Sequence, residues 1–549
     1  MSYALLKPAK VSKLHKSDVY ILTNIKPATL RDILSRVPVY SIVAVDTETN
    51  GTQAADTDVY PVGIGISHAH ETIYVDLDSQ SDETLDVLRQ FLLSPNYNFI
   101  GHNIFFDGAI LQAQLGTWMN WTACTYGLFR QLANEGWVGQ KYGLKQAQLD
   151  LLGWDTRGDV ELDEWLVAAG VVKNYEHVFS KWSAEERLAD FRAGGSIRVD
   201  KSRMSLAPPN ILGYYCGLDA YSTYKLYTEV LLPAIQRLPA KFQEVFTWYH
   251  SLFITNVELL VQQQLRGVYV DVGQLSQFET KTRILIDDYS GQFRRHPEVA
   301  SFLLEWEQKK MAEITEPTKY KKLPVLGEAP AEFTKAGKPS KSYAAWLEKK
   351  KKIEQLGPGE VSQVWLNWAA SLPEKQEKAK FNLHSGSQRS WLFYEKLNKP
   401  VKVFTKSDKP ATDKKALPGF GEAGLLLAKL DKQTKLLGFV EALRGQLDGD
   451  NLAHPRFNTP GTFTGRLGGS GGFNWQNLPK SGGFMKAISA RPGMAWVSLD
   501  FASLENYVLC ELSRDPSLLK LYGPNAPEFQ DAYLFNASQL PIIGPKIRA

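Results

Sequence analysis

Ile42 to Val45 is a continuous apolar run, too short for a helix and bounded by polar residues. It predicts a buried strand that carries Asp46 and Glu48 to its C-terminal edge. Val62–Ser67 and Thr72–Leu77 flank the polar stretch His68–Glu71 in the pattern of a hairpin, and Leu85–Leu93 has helical spacing. Asn98–Gly101 reads as another short strand, followed by a helix over Phe105–Leu115. Strands first and helices interleaved afterwards predict a mixed α/β sheet with carboxylates at one rim. From Trp121 to Phe253 the pattern is mostly helical, and Pro208-Pro209-Asn210 marks the start of a helix reaching about Leu231. Tyr215 and Asp219 fall on one face of it.

Long helical patterns run from Ala240 through Leu285, interrupted by Arg266–Asp271, a turn into a short strand. Leu425–Leu443 is helical again, Asn458–Gly483 is Gly-rich and polar, and Ala495–Leu499 reads as a strand ending in Asp500. Beyond it Val508, Leu509 and Leu512 share a helical face, and Leu519 and Tyr522 extend the apolar set past a break at Pro516. Two fates fit these residues: a protein partner, or burial against Phe535, Leu540 and Ile542 of the same chain.

At 549 residues the chain exceeds one hydrophobic core, which predicts three or four domains. With 44% hydrophobic and 22% charged residues it is globular in composition, not disordered or collagen-like. A net charge of +4 neither demands nor excludes nucleic acid. Cys124, Cys216 and Cys510 lie far apart without Cys-x-x-Cys spacing, so neither a disulfide framework nor a zinc ribbon is expected, and a reducing cytoplasm fits. No run approaches ~18 apolar residues, so no membrane segment is expected. Glu307–Lys380 is rich in Lys, Glu, Pro and Ala and reads as an exposed insertion or a domain tip, its Lys349–Lys352 run a solvated surface or, as the alternative, a contact for the phosphate backbone.

Asp46-Thr47-Glu48 is a common spacing, but at the end of a buried strand it suits Mg²⁺, because hard cations want oxygen ligands and offset the repulsion of clustered acids. Asn103-Ile104-Phe105-Phe106-Asp107 and Tyr215-Cys216-Gly217-Leu218-Asp219 supply two further acidic segments. Two ions about 3.5–4 Å apart on such acids suit phosphodiester hydrolysis, with the Tyr215 hydroxyl orienting water. The bland alternative is that Asp107 caps a helix, Asp219 is an exposed helical acid and Tyr215 fills the core. His68-Ala69-His70 reads as a solvated turn rather than a metal site.

In order and spacing, Val45–Thr49, Gly101–Asp107 and Tyr215–Asp219 resemble the three motifs of the 3′-to-5′ proofreading exonuclease domain of family A (DNA polymerase I-type) enzymes. The resemblance implies a ribonuclease H-like fold, with Asp46, Glu48, Asp107 and Asp219 holding two Mg²⁺ ions (Mn²⁺ substituting) and Tyr215 positioning water. Phe105 and Phe106 are candidates for stacking on unpaired bases, and Asn103 for contact with DNA.

Arg466-Leu467 after Thr464-Gly465, followed by Asn474–Pro479, resembles the family A segment between thumb and palm. It implies minor-groove contacts from Arg466, Gln476 and Asn477, although Gly468–Phe473 is richer in glycine than the usual pattern. Val497–Glu505 resembles the palm motif, with Asp500 as a metal-holding acid and Glu505 packing under the incoming sugar. Ser503 and Tyr507 stand where the family commonly has Gln and Arg. Gly267–Asp271 and Phe381–Gln388 resemble thumb segments, and Asp531-Ala532-Tyr533 the beginning of the fingers.

The expected organisation is an N-terminal extension (1–37), the exonuclease domain (38–235), a helical thumb with an insertion at about 307–380 (236–455), and a partial palm with the start of the fingers (456–549). The leading expectation is the N-terminal part of a phage-type replicative polymerase. It would act on primer-template DNA and single-stranded 3′ ends in the cytoplasm of an infected cell, its polymerase site completed by a separate C-terminal chain. A stand-alone exonuclease and a non-catalytic DNA-binding or docking subunit are the alternatives.

Overall fold

A computed structural model of the protein describes residues 15–523 apart from 134–142, 155–156, 175, 316–345, 347, 349–376, 459–465, 481 and 502. Thr464, Gly465, Lys349–Lys352, Asp531–Tyr533, Phe535, Leu540, Ile542 and most of the expected insertion therefore lie outside the described residues. The chain divides into two compact units, residues 1–489 and 490–549.

The first unit begins with β1 (Val19–Leu22), α1 (Pro27–Ser35), β2 (Ile42–Thr49), β3 (Pro61–Ser67) and β4 (Thr72–Asp76). There follow α2 (Asp82–Leu92), β5 (Asn98–Gly101), α3 (Ile104–Leu115) and β6 (Trp121–Cys124). The six strands form one sheet in the order β1-β4-β3-β2-β5-β6. β2 to β4 pair antiparallel, and β1, β5 and β6 join parallel to their neighbours, so the sheet is mixed. The hairpin and the Asn98–Gly101 strand match the apolar pattern. β2 runs further than its pattern suggests: Asp46 and Glu48 sit inside the strand, not at its end, and a register shift at Glu48/Thr49 marks a bulge beside them. β5 pairs only with Ile42–Ala44, and pairing with β3 through Thr49 holds in register the polar residues that an isolated apolar run would have released.

Alternate residues of β2 and β5 feed opposite faces. Val43, Val45 and Phe99 join α1, α2 and α3 in one core, whereas Ala44 and Ile100 join a second core. That second core is built on α4 (Thr125–Ala133), α5 (Leu144–Ala147) with its π-helical extension Gln148–Leu152, and the helical run from Leu218 to Leu238. Between them lie α6 (Arg157–Ala168) and α7 (Ala184–Arg192). α2 starts on Ser81, whose hydroxyl accepts from the Thr84 amide, with Asp82 and Glu83 in its first turn.

α8 (Pro209–Lys225) passes through a π-helical stretch, Leu226–Leu231, into α9 (Leu232–Gln236). It lies directly on the sheet because both surfaces are trimmed there. A Cβ on Gly65 of β3 would stand 2.8 Å from the Cys216 carbonyl oxygen, and one on Gly217 would stand 2.5 Å from a Val19 methyl. This close approach brings α8 to β2.

α10 (Ala240–Arg266), β7 (Val268–Tyr269), α11 (Val272–Arg295) and α12 (Ala300–Thr315) follow, then α13 (Gly386–Ser390) and α14 (Gly421–Arg444). α11 and α14 pack along their length between two apolar clusters, one on Phe293, Phe381 and Phe420, the other on Phe278, Val440 and Phe484. Buried Arg389 ties α13 to α14 through two hydrogen bonds to Asp431, at 2.8 and 2.6 Å. β8 (Leu452–Ala453) pairs with β7, and β9 (Arg456–Asn458) with β10 (Gly468–Ser470).

In the second unit, α15 (Leu504–Ser513) and α16 (Pro516–Tyr522) meet at the break foreseen at Pro516, with Asp515 capping α16. Cys510, Leu521 and Tyr522 form its small core. The expected strand Ala495–Leu499 is absent: these residues are irregular and exposed, with Leu499 92% exposed. A strand is held by hydrogen bonds to a neighbour, and among the described residues this segment has no strand beside it. Val508, Leu509 and Leu512 are exposed, while Tyr522 is buried. Among the described residues no helix is long and apolar enough to cross a membrane.

Candidate functional site

Asp46 and Glu48 are two apart on β2 and so point to one face of the sheet. α3, entering from β5, brings Asp107 against the same strand, where Asp107 Oδ1 accepts from the Thr47 amide (3.0 Å) and the Thr47 hydroxyl (2.7 Å). α8 brings Cys216 and Asp219 from the other side. The Cys216 thiol lies 3.6 Å from both the carbonyl oxygen and Oδ2 of Asp46. Asp46, Glu48 and Cys216 each offer a ligand atom within 4.8 Å of the other two. Asp107 and Asp219 are close enough for both to act on the Asp46 charge.

Glu48, Asp107 and Asp219 are buried and Asp46 is half-buried. Burial, and then the charges of Asp107, Asp219 and Glu48, hold the Asp46 carboxyl well above the usual carboxylate range. Glu48 is raised likewise, by burial and then by Asp219. Burial pushes Asp107 up to about 6 against the pull of its Thr47 hydrogen bonds. Four carboxylates thus share a pocket in which each charge costs several kcal/mol, on the order of what a buried ion loses in hydration. An all-oxygen set of this kind fits hard divalent cations.

Two lysines supply built-in positive charge. Lys145, on α5, donates to Asp219 and lies 3.2 Å from Asp159. Asp219 is raised by burial and pulled back by Lys145. Lys201 bonds Asp159 at 2.9 Å and lies 3.2 Å from Asp163, and both ammonium groups face the Tyr215 ring, Lys145 at 4.3 Å and Lys201 at 5.7 Å. Burial and the Asp219 charge keep the Tyr215 phenol protonated. Gln148 Nε2 donates to Asp219 (3.3 Å) and to the Ser222 hydroxyl (2.7 Å). Sequence reasoning missed Lys145, Gln148, Asp159 and Lys201. They stand far from the acidic motifs along the chain, and a Lys on a four-residue helix with a Gln just past its end carries no pattern.

The remaining candidates lie elsewhere. Asn103 is exposed at the start of α3 in the left-handed conformation (φ 63°), which Asn tolerates better than most residues. Phe105 and Phe106 both pack against the core. His68, expected in a solvated turn, is buried at 6% exposure directly after β3, its amide bonding the Glu71 carbonyl, while Ala69 and His70 are exposed. Arg466, Gln476 and Asn477 are exposed on the first unit, and Gln476 Nε2 donates to the Leu467 carbonyl at 3.0 Å, tying the two halves of that motif together. Asp500 and Glu505 are exposed in the second unit, Asp500 on irregular chain and Glu505 in the first turn of α15.

Two family models match this chain. Residues 23–232, which hold β2 to β6 of the sheet and α8, match the 3'-5' exonuclease model, and residues 360–543 match DNA polymerase family A. The chain joins a 3′-5′ exonuclease domain to a family A DNA polymerase domain. The acidic cluster lies within the exonuclease match, and Arg466, Asp500 and Glu505 within the polymerase match.

The chain is 20% identical to the DNA polymerase of Escherichia phage T5 over 487 residues, which covers 87% of this chain and 46% of the relative. It is 23% identical to the DNA polymerase of Bacillus phage SP01 over 345 residues, 60% of this chain and 33% of that one. A third relative, the thermostable DNA polymerase I of Thermus thermophilus, is 30% identical over 154 residues, 26% of this chain and 18% of that protein. The chain thus spans less than half the length of these relatives. Among solved structures, the POL domain of Pol1 from M. smegmatis, in complex with DNA primer-template and dNTP, shares the fold at a TM-score of 0.59 and 16% identity. The match covers 96% of this chain and 69% of that one.

Proposed function

We propose that the exonuclease domain, residues 38–235, removes nucleotides from single-stranded DNA 3′ ends and so proofreads for a family A polymerase in phage-type replication, in the cytoplasm of an infected cell. The observation that carries this reading is the approach of Asp46, Glu48, Asp107 and Asp219 from β2, α3 and α8. Two Mg²⁺ ions on these carboxylates, or Mn²⁺ in their place, would supply activation of water and stabilisation of the leaving oxygen. The chain's own groups do the rest. Thr47 fixes the Asp107 carboxylate through two hydrogen bonds. The protonated Tyr215 hydroxyl is available to hold the attacking water, its ring steadied by Lys145 and Lys201. Water adds at the terminal phosphorus, the bond to the 3′ oxygen breaks, and a nucleoside monophosphate leaves.

In the same reading Arg466, Gln476 and Asn477 lie along the minor groove of primer-template DNA, with Asn103 on the frayed strand. Asp500 belongs to a nucleotidyl-transfer site, Glu505 packs under the incoming sugar, and residues 236–455 serve as thumb. A further polypeptide carrying the rest of palm and fingers completes that site. Its support is the apolar surface of the second unit, where Val497, Leu499, Phe501 and Leu512 are all more than three-quarters exposed.

Incubating the purified chain with a 5′-labelled single strand and Mg²⁺ tests the nuclease. Stepwise shortening from the 3′ end, lost in D46A/E48A, is the expected result. Undiminished degradation by that double variant contradicts it. Adding nucleotides and a candidate palm-and-fingers chain to a primer-template tests the remainder, extension being expected only in the mixture.

A further inference from the structure

Hydrolysis by the carboxylate centre leaves one of its groups unused, the sulfur of Cys216. It is wholly buried, and it reaches Asp46 because Gly65 lets α8 lie against β3. A sulfur and an oxygen bound tetrahedrally to one cation, at about 2.3 and 2.1 Å, stand roughly 3.6 Å apart. Cys216 Sγ stands 3.6 Å from Asp46 Oδ2. Glu48 provides the second observation. Its side chain is 2% exposed, its carboxylate lies in the same triangle of donors within 4.8 Å, and what acts on it there is burial and through-space charge, with no hydrogen-bond donor among the described residues. A buried carboxylate without a donor, facing a thiol and a second carboxylate, is a mixed oxygen-sulfur ligand set.

We propose that Asp46, Glu48 and Cys216 bind a thiophilic divalent cation of the zinc or cadmium class, and that this cation displaces the hard metals and arrests the exonuclease. The arrest rests on the nuclease reading above; the binding does not. Mg²⁺ and Mn²⁺ draw on oxygen donors, so the sulfur adds affinity only for the softer ions. On binding, the thiol S–H bond breaks, its proton passes to solvent and the sulfur–metal bond forms, so one proton is released per thiolate formed. The fourth tetrahedral position is left to water or substrate.

Titration of the full-length, metal-stripped chain with Cd²⁺, followed by ultraviolet thiolate-to-metal charge-transfer absorption and by calorimetry, tests the site apart from turnover. The expected result is one equivalent bound with the new absorption, retained in C124S/C510S. C216A is expected to lose the absorption and to weaken Cd²⁺ at least tenfold, with Mn²⁺ affinity changed by less than about threefold. In nuclease assays, Cd²⁺ then inhibits wild type far more than it inhibits C216A relative to that variant's own rate. No absorption in wild type, or absorption that survives C216A, overturns the proposal. Equal loss of Cd²⁺ and Mn²⁺ in both C216A and C216S also overturns it, since Cys216 is then a packing residue. Absorption in a chain without nuclease activity in Mg²⁺ leaves this site standing and removes the nuclease reading instead.

Discussion

Asp107 makes the metal-free exonuclease domain lose stability as the solution is made less acidic. Burial raises its folded-state pKa to about 6, against roughly 4 for an exposed aspartate. Between those values the native state holds a proton that the unfolded chain has released, so its contribution is complete below about pH 4 and is lost as pH rises through about 6. The full span is about 3 kcal/mol at 1.36 kcal/mol per unit, and about 1 kcal/mol of it falls between about pH 5 and pH 7. In D107N the amide oxygen still accepts from Thr47, but no proton is exchanged. Hydrogen exchange of the β2 and α3 peptides, with chelator present and intrinsic rates corrected, is therefore expected to show about fivefold less protection at pH 7 than at pH 5 in wild type. D107N is expected to show a flatter profile, and Mn²⁺ to restore protection at pH 7 in wild type alone. Asp46 and Glu48 are raised as well and steepen the wild-type slope in the same direction. Protection that rises with pH in wild type without metal, or a D107N profile as steep as wild type, refutes the argument.

Lys145→Met removes the cation that neutralises Asp219. Mn²⁺ binding is expected to tighten severalfold by calorimetry because a competitor is gone, while the metal-free domain unfolds at lower urea. Gly65→Ala sets a methyl 2.8 Å from the Cys216 carbonyl; a destabilisation of about 1–3 kcal/mol and loss of 3′ trimming are expected, measured by urea melts and strand degradation. Arg389→Met removes two charge-assisted hydrogen bonds to the part-exposed Asp431, which keeps His384, and is expected to cost about 1–3 kcal/mol in the α13–α14 region, read by hydrogen exchange.

Local pattern carried the sheet further than it carried the site. The hairpin at Pro61–Asp76, the strand at Asn98–Gly101 and the helices around Val268–Tyr269 are each written in contiguous periodicity. The acids were legible because Asp46 with Glu48, Asp107, and Tyr215 with Asp219 each sit in a short ordered motif. Lys145, Gln148 and Cys216 were not, because their importance comes from the placement of α5 and α8, which close packing at Gly65 and Gly217 decides. The misplaced strand at Ala495–Leu499 has the opposite cause. A mostly apolar run favours an extended chain there, yet only a neighbouring strand turns an extended chain into sheet. His68 was misjudged because a residue just past the end of a strand, where a turn begins, can still be buried.

A Mn²⁺-soaked crystal of the wild-type chain, examined by anomalous scattering, tests the central claim most directly. The account predicts manganese density bounded by the carboxylates of Asp46, Glu48, Asp107 and Asp219, with Lys145 withdrawn from Asp219 toward Asp159. An empty centre at saturating Mn²⁺, or manganese bound only elsewhere on the chain, would contradict it.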